Sequence, residues 1–171
     1  MVGDEAYVFD ATPLIYLTRA GVFELLARLR NPFLIPRLVG REVIDAGREK
    51  GAPEVLLLER LVSEGRIRIG LVRSRTVLKR LREDPRLSDA DRESLALAVD
   101  RRARLIADEA PLRSAARAFG VSVGGSLFLL RRLVDEGLLS RAEAREALDR
   151  LIAHGWFCSP ALYQSVASLF V

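Results

Sequence analysis

Apolar residues along the chain fall into short, strand-length clusters that alternate with longer stretches of helical period. Ala6-Tyr-Val-Phe-Asp10 is an apolar run ending in an acid, and Thr12-Pro13 after it reads as a helix N-cap with proline at the first helical position. The helical pattern continues past Gly21 through Val22, Phe23, Leu25, Leu26 and Leu29, and stops at Asn31-Pro32. Phe33-Leu-Ile-Pro36 predicts a second buried strand, residues 37–50 a helix carrying Glu42, and residues 53–63 another helix. Residues 66–72 alternate in polarity, which predicts a third strand, at a sheet edge. Ser88-Asp-Ala-Asp91 has the pattern of a capping box that opens a helix to about residue 100, and Arg104-Leu-Ile-Ala-Asp108 is a fourth strand that again ends in an acid. A helix over 111–119, a short strand over 121–123 and helices over 126–135, 140–153 and 161–170 complete the pattern.

Strands alternating with helices predict a three-layer α/β/α architecture, with a mostly parallel sheet of about five strands and helices on both faces. Residues 1–125 form the α/β core of a single domain and residues 126–171 a helical C-terminal extension. There is no internal repeat and no low-complexity tract.

Composition narrows the partners. The chain has 171 residues, half of them apolar, enough for one substantial core. Its net charge of +4 favours a polyanionic partner, nucleic acid before a membrane surface. Cys158 and His154 are the sole residues of their kinds, which excludes an intrachain disulfide, a redox pair and a cysteine- or histidine-rich zinc site. The first residues lack a basic segment followed by a long apolar one, and no stretch approaches the ~20 apolar residues that cross a bilayer. A cytoplasmic protein with no membrane partner is expected.

The acids carry the candidate chemistry. In an open parallel sheet, ligands bind beyond the carboxyl ends of the strands, where the chain order reverses. With strand order 3-2-1-4-5, Asp10 and Asp108 face one crevice, on strands ~4.8 Å apart. Glu42 and Asp91, on the helices after strand two and before strand four, can project to the same end. Convergent carboxylates repel one another and make sense only with bound cations, and all-oxygen ligands favour Mg²⁺ or Mn²⁺ over zinc. Singly, each acid has an ordinary reading: Asp91 as the acidic residue of a capping box, Glu42 as a solvated helix residue, Asp108 as the start of a turn.

Taken together, the segments Asp10-Ala-Thr12, Pro36-Arg-Leu-Val-Gly-Arg-Glu42, Leu87-Ser-Asp-Ala-Asp91-Arg-Glu93 and Leu105-Ile-Ala-Asp108-Glu109 resemble the PIN domain. The resemblance extends over essentially the whole chain. It looks closest to a prokaryotic, largely archaeal branch related to the virulence-associated C-type toxin ribonucleases, through Asp91, Glu93, Asp108, Glu109, Arg113, Gly120-Val-Ser-Val-Gly-Gly-Ser126 and the tail around Gly155-Trp-Phe. The branch commonly has glycines and glutamate where this chain has Ser88, Ala90 and Asp91, and threonine where it has Ser126.

The resemblance implies a Mg²⁺- or Mn²⁺-dependent endoribonuclease with Asp10, Glu42, Asp91 and Asp108 as catalytic metal ligands. Glu93 and Glu109 are further candidate ligands, and Thr12 and Arg113 would orient the site or bind substrate. It also implies RNA as partner, a toxin role with a protein antitoxin, and a homodimer. Arg101, Arg102 and Arg104, with Arg73, Arg75, Lys79, Arg80 and Arg82, are candidates for tracking RNA phosphates, against the ordinary reading of a solvated face. His154 reads as a helix-end charge, and Trp156, Phe157 and Cys158 as core or dimer packing. A phosphatase of the haloacid-dehalogenase type would need aspartate two positions after Asp10, where Thr12 stands. A non-catalytic PIN fold that binds RNA or protein is the alternative.

Overall fold

The computed structural model describes residues 4–170. Tyr7–Phe9 (β1), Phe33–Pro36 (β2), Ile67–Gly70 (β3), Arg104–Ile106 (β4) and Val123–Gly124 (β5) form a five-stranded sheet in the order β3-β2-β1-β4-β5, with every pairing parallel. The expected three-layer α/β/α architecture and strand order are both present.

Successive side chains of a strand point to opposite faces, and the central strands divide two cores accordingly. Tyr7 and Phe9 enter the larger core, where the Phe9 ring lies 5.5 Å from Phe23 and 4.9 Å from Phe33. Helices that pack into this core include Ala11–Arg19 (α1), Phe23–Leu26 (α2), Ser126–Asp135 (α9) and Arg141–Ala153 (α10). Val8, between Tyr7 and Phe9, enters the second core with Leu105 of β4. That core is closed by Arg75–Leu81 (α6), Asp89–Arg101 (α7) and Ala110–Ala118 (α8).

Arg37–Gly40 (α3), a π-helical turn over Arg41–Asp45 and Ala46–Glu49 (α4) run on continuously, and Val55–Ser63 (α5) follows. After α10, Pro160–Ala167 (α11) and a 3₁₀ turn over Ser168–Phe170 close the described chain.

Several local expectations are corrected. Thr12 is not the N-cap of α1: Asp10 holds that position in extended conformation and the helix starts at Ala11, directly off the strand. Pro13 stays within the first turn, where an amide N–H has no helical acceptor to lose. The stretch 22–29 is not a full helix, because Gly21 turns the chain at φ +75° and α2 spans only 4 residues. Helix α6 was not anticipated; its local signal is Ser74, whose side chain accepts the Val77 N–H. β3 is an edge strand as expected, but Ile69 on it is 51% exposed, so its apolar residues do not share one buried face. The last strand lies at Val123–Gly124, two positions later than its apolar pattern starts.

Candidate active site at the carboxyl ends of the strands

β1 and β4 pair in the register Tyr7↔Arg104, Val8↔Leu105, Phe9↔Ile106, so the residues that follow them leave the sheet side by side at the point where strand order reverses. Asp10 follows β1 at once, and its N–H donates to Ile106 O at 3.0 Å. It is only 3% exposed. Fully buried Ser94, on α7, donates its Oγ to Asp10 Oδ1 at 3.1 Å. Burial pushes the Asp10 carboxyl up to about 7, with repulsion from Asp91 next and from Glu109 smaller, while the hydrogen bonds from Ser94 and Ala11 act the other way.

Asp91 stands one turn before Ser94 on α7 and therefore on the same helix face. Its carboxylate accepts the Ser88 N–H at 2.7 Å while Ser88 Oγ accepts the Asp91 N–H at 3.1 Å, so the capping box is real. The same carboxylate is close enough to raise both Asp10 and Glu42.

Glu42 lies in the π-helical turn, an irregularity that redirects side chains within a helix and is frequent at functional sites. Partial desolvation raises its carboxyl most, followed by Asp91 and then Glu109, with Lys50 opposing. Glu109, exposed at the N-cap of α8, accepts a 3.3 Å hydrogen bond from Thr12 Oγ1. The structure thus gathers Asp10, Glu42, Asp91 and Glu109 around one strand end, with Thr12 beside them.

The remaining predicted residues face elsewhere. Asp108 turns its carboxylate to Ser126 N at 2.7 Å, Ser126 Oγ at 2.6 Å and Trp156 Nε1 at 3.0 Å. Glu93 Oε2 accepts the Leu38 N–H at 3.0 Å and so caps the first turn of α3. Arg113 Nη1 donates to Ala107 O at 2.7 Å and Gly124 O at 3.0 Å, tying the end of β4 to β5; burial lowers its pKa. Ser94 and Trp156 were not anticipated as site residues. Ser94 could have been found as the residue three positions after Asp91 on one helix face, whereas nothing local marks Trp156 as a partner of Asp108, 48 positions away.

As the side chains lie, no three acidic, histidine or cysteine residues among the described ones could hold a metal ion. The donor set still fits a hard divalent cation in kind. It is all oxygen, and among the described residues no ion pair uses Asp10, Glu42, Asp91 or Glu109; Lys50 offsets part of the repulsion at Glu42, while the causes acting on Asp10 include no protein cation. No helix among the described residues is long and apolar enough to cross a membrane.

A family model described as a PIN domain matches residues 6–170. No curated protein matches the chain.

Proposed function

The chain belongs to the PIN-domain family, and from that premise we propose that it is a divalent-metal-dependent endoribonuclease in which Asp10, Glu42, Asp91 and Glu109 hold Mg²⁺ or Mn²⁺. PIN domains are nucleases as a class, and the net charge of +4 supports RNA as the polyanion. The observation that carries the reading is Asp10: a carboxyl buried at the switch point of the sheet, raised to about 7 and repelled by Asp91 and Glu109. A strongly raised carboxyl in a strand-end crevice marks a functional-site candidate.

Mg²⁺ or Mn²⁺ held by these acids would supply activation of a water and stabilisation of charge on the phosphate. The chain's own residues prepare the place. Ser94 fixes the rotamer of Asp10 through Oδ1 and leaves Oδ2 free of side-chain donors. Thr12 steadies Glu109 through Oε1. Between pH 3.8 and about 7, metal-free Asp10 keeps a proton that an unshifted aspartate would have lost, so metal binding there would be accompanied by proton release. Asp108, whose carboxylate accepts hydrogen bonds from Ser126 and Trp156, is a further candidate ligand, since a ligating carboxylate is ordinarily hydrogen-bonded by its neighbours.

The test incubates the protein with mixed structured RNAs and Mn²⁺ or Mg²⁺, with EDTA and Asp10→Asn as controls. Cleavage lost in both controls supports the nuclease; equal cleavage in wild type and Asp10→Asn sinks it. A toxin role adds growth arrest on expression, relieved by a protein antitoxin, and a homodimer adds a doubled mass in light scattering. A second reading, a non-catalytic module that binds RNA or protein, is favoured by the Asp91 carboxylate already serving the capping box. Folded protein with no calorimetric uptake of Mg²⁺ or Mn²⁺ selects that reading.

A further inference from the structure

The helical run that carries Glu42 also forms one wall of a groove. Arg37, Arg41, Ile44 and Arg48 follow one another at spacings of three or four positions and so share one side of that run. With Val62 of α5 and Ile69 of β3 they line an open groove of about 790 Å³. Pro36 at the end of β2 is in register with Gly70 at the end of β3, so Arg37 starts its helix at the same end of the sheet as the acids. β3 is two strands from β1, which places the groove about 10 Å across the strand ends from Asp10. Arg41 is the residue before Glu42.

The cations of the groove are engaged unequally. Arg48 is paired with Glu59, and Asp45 adds to the negative charge around it. Arg37 and Arg41 are exposed, and among the described residues neither makes an ion pair. They stand one helical turn apart, about 6 Å along the axis. The floor beside them is apolar: Ile69 is 51% exposed, and Ile44 and Val62 are only partly buried.

Two free guanidinium groups over an exposed apolar floor match the two halves of an unpaired nucleotide, phosphate to arginine and nucleoside to the floor. A duplex keeps its base faces stacked inside and presents no such apolar half. Phosphates brought to a cluster of carboxylates are repelled unless cations meet them close by, and Arg37 and Arg41 supply these on the Glu42 side. The exposed cations of α6 are less suited, because Arg82 opens on a groove that also holds Asp89 and Glu93.

We propose that this groove is the track for single-stranded RNA on one side of the cut, with Arg37 and Arg41 on successive phosphates and Ile44, Val62 and Ile69 against unpaired nucleosides. The inference rests on the nuclease reading and deepens it, by naming the form of the substrate and the residues that hold it.

The experiment measures binding of a labelled single-stranded oligoribonucleotide by fluorescence anisotropy in EDTA, where the metal-dependent reaction is off, between about 50 and 200 mM salt. Arg37→Ala and Arg41→Ala each weaken binding several-fold and lower the slope of log affinity against log salt by about 0.7, while Arg41→Lys keeps the slope. Arg145→Ala on α10, outside the groove, removes the same charge and behaves as wild type. Ile69→Asp weakens binding without changing the mass of the protein in light scattering, and a duplex of the same sequence binds at least tenfold more weakly than the single strand. Wild-type affinity and slope in both arginine variants overturn the proposal, and so does an equal loss in Arg145→Ala, which makes the effect one of net charge. Duplex bound as tightly as single strand overturns it too. If Ile69→Asp halves the mass and leaves RNA binding untouched, a second copy of the chain occupies the groove and the proposal is overturned. In each of these cases cleavage of RNA in Mn²⁺ by the wild type keeps the nuclease reading standing. RNA bound through Arg37 and Arg41 but not cut in Mn²⁺ or Mg²⁺ supports the track and sinks the nuclease reading.

Discussion

Ser94 Oγ donates to Asp10 Oδ1 at 3.1 Å, a hydrogen bond between two buried side chains 84 positions apart that ties α7 to the end of β1. It is the one side-chain donor that lowers the Asp10 carboxyl against burial and against Asp91. Ser94→Ala removes the donor and leaves a buried carboxylate short of a partner, at a cost of about 1–3 kcal/mol. Urea unfolding in EDTA at pH 8 is expected to show that loss, and carboxyl NMR a further rise of the Asp10 pKa. An unchanged midpoint would mean that water or a rearranged neighbour replaces Ser94.

The raised carboxyl of Asp10 predicts an unusual pH dependence. Its pKa moves from 3.8 to about 7 on folding, so the folded state binds this proton more tightly than the unfolded chain does. The destabilisation is absent below 3.8, grows as pH rises toward about 7 and is complete above it. The full shift corresponds to roughly 4 kcal/mol against the ionised form, as an upper figure. In EDTA, Asp10→Asn is therefore expected to gain stability relative to wild type as pH rises through this window, and saturating Mg²⁺ to restore wild type but not the variant. A constant difference between the two proteins across pH would refute the assignment.

Gly125 is required by space, not by backbone angle. It is extended at φ −149°, yet a Cβ there would meet Asp108 Oδ1 at 2.6 Å and Ala107 O at 3.1 Å. Gly125→Ala is expected to lower stability by about 1–3 kcal/mol through overpacking. Gly120→Ala is the contrast: nothing lies within 4 Å, but φ is +70°, and the expected loss of about 1 kcal/mol comes from the left-handed backbone. Only Gly125→Ala should also shift the Trp156 indole resonance.

Arg113 holds two backbone carbonyls, and its guanidinium is partly buried enough to lower its pKa. Arg113→Ala removes the side-chain donor to Ala107 O, while Gly124 O keeps the Ala107 N–H, and is expected to cost about 1–3 kcal/mol in thermal or urea unfolding. RNA affinity measured at fixed salt should change little. A large loss of affinity with unchanged stability would place Arg113 on the substrate instead.

Much of this architecture was legible because it rests on local pattern. The strand β2 coincides with its apolar run, the two capping boxes at Ser88 and Ser140 form as their spacing indicates, and an acid follows both β1 and β4. The strand order was reachable by rule, since right-handed connections and a switch point leave few parallel arrangements. What escaped was structure that local pattern does not encode. The π-helical turn under Glu42 has the same apolar spacing as an ordinary helix, and α6 is short, with Arg75, Lys79 and Arg80 interrupting its apolar residues and a cap at Ser74.

Asp108 and Glu109 show where the division falls. By itself the sequence determined that a pair of acids follows β4 and that Asp10 follows its neighbour β1, because periodicity and parallel pairing are properties of short segments. It could not determine which of the pair turns to Asp10. The Asp108 carboxylate is met by donors 18 and 48 positions away, Ser126 and Trp156, whereas Glu109 is met by Thr12, 97 positions away. The contacts to Asp108 exist only once the C-terminal helices have packed against the sheet.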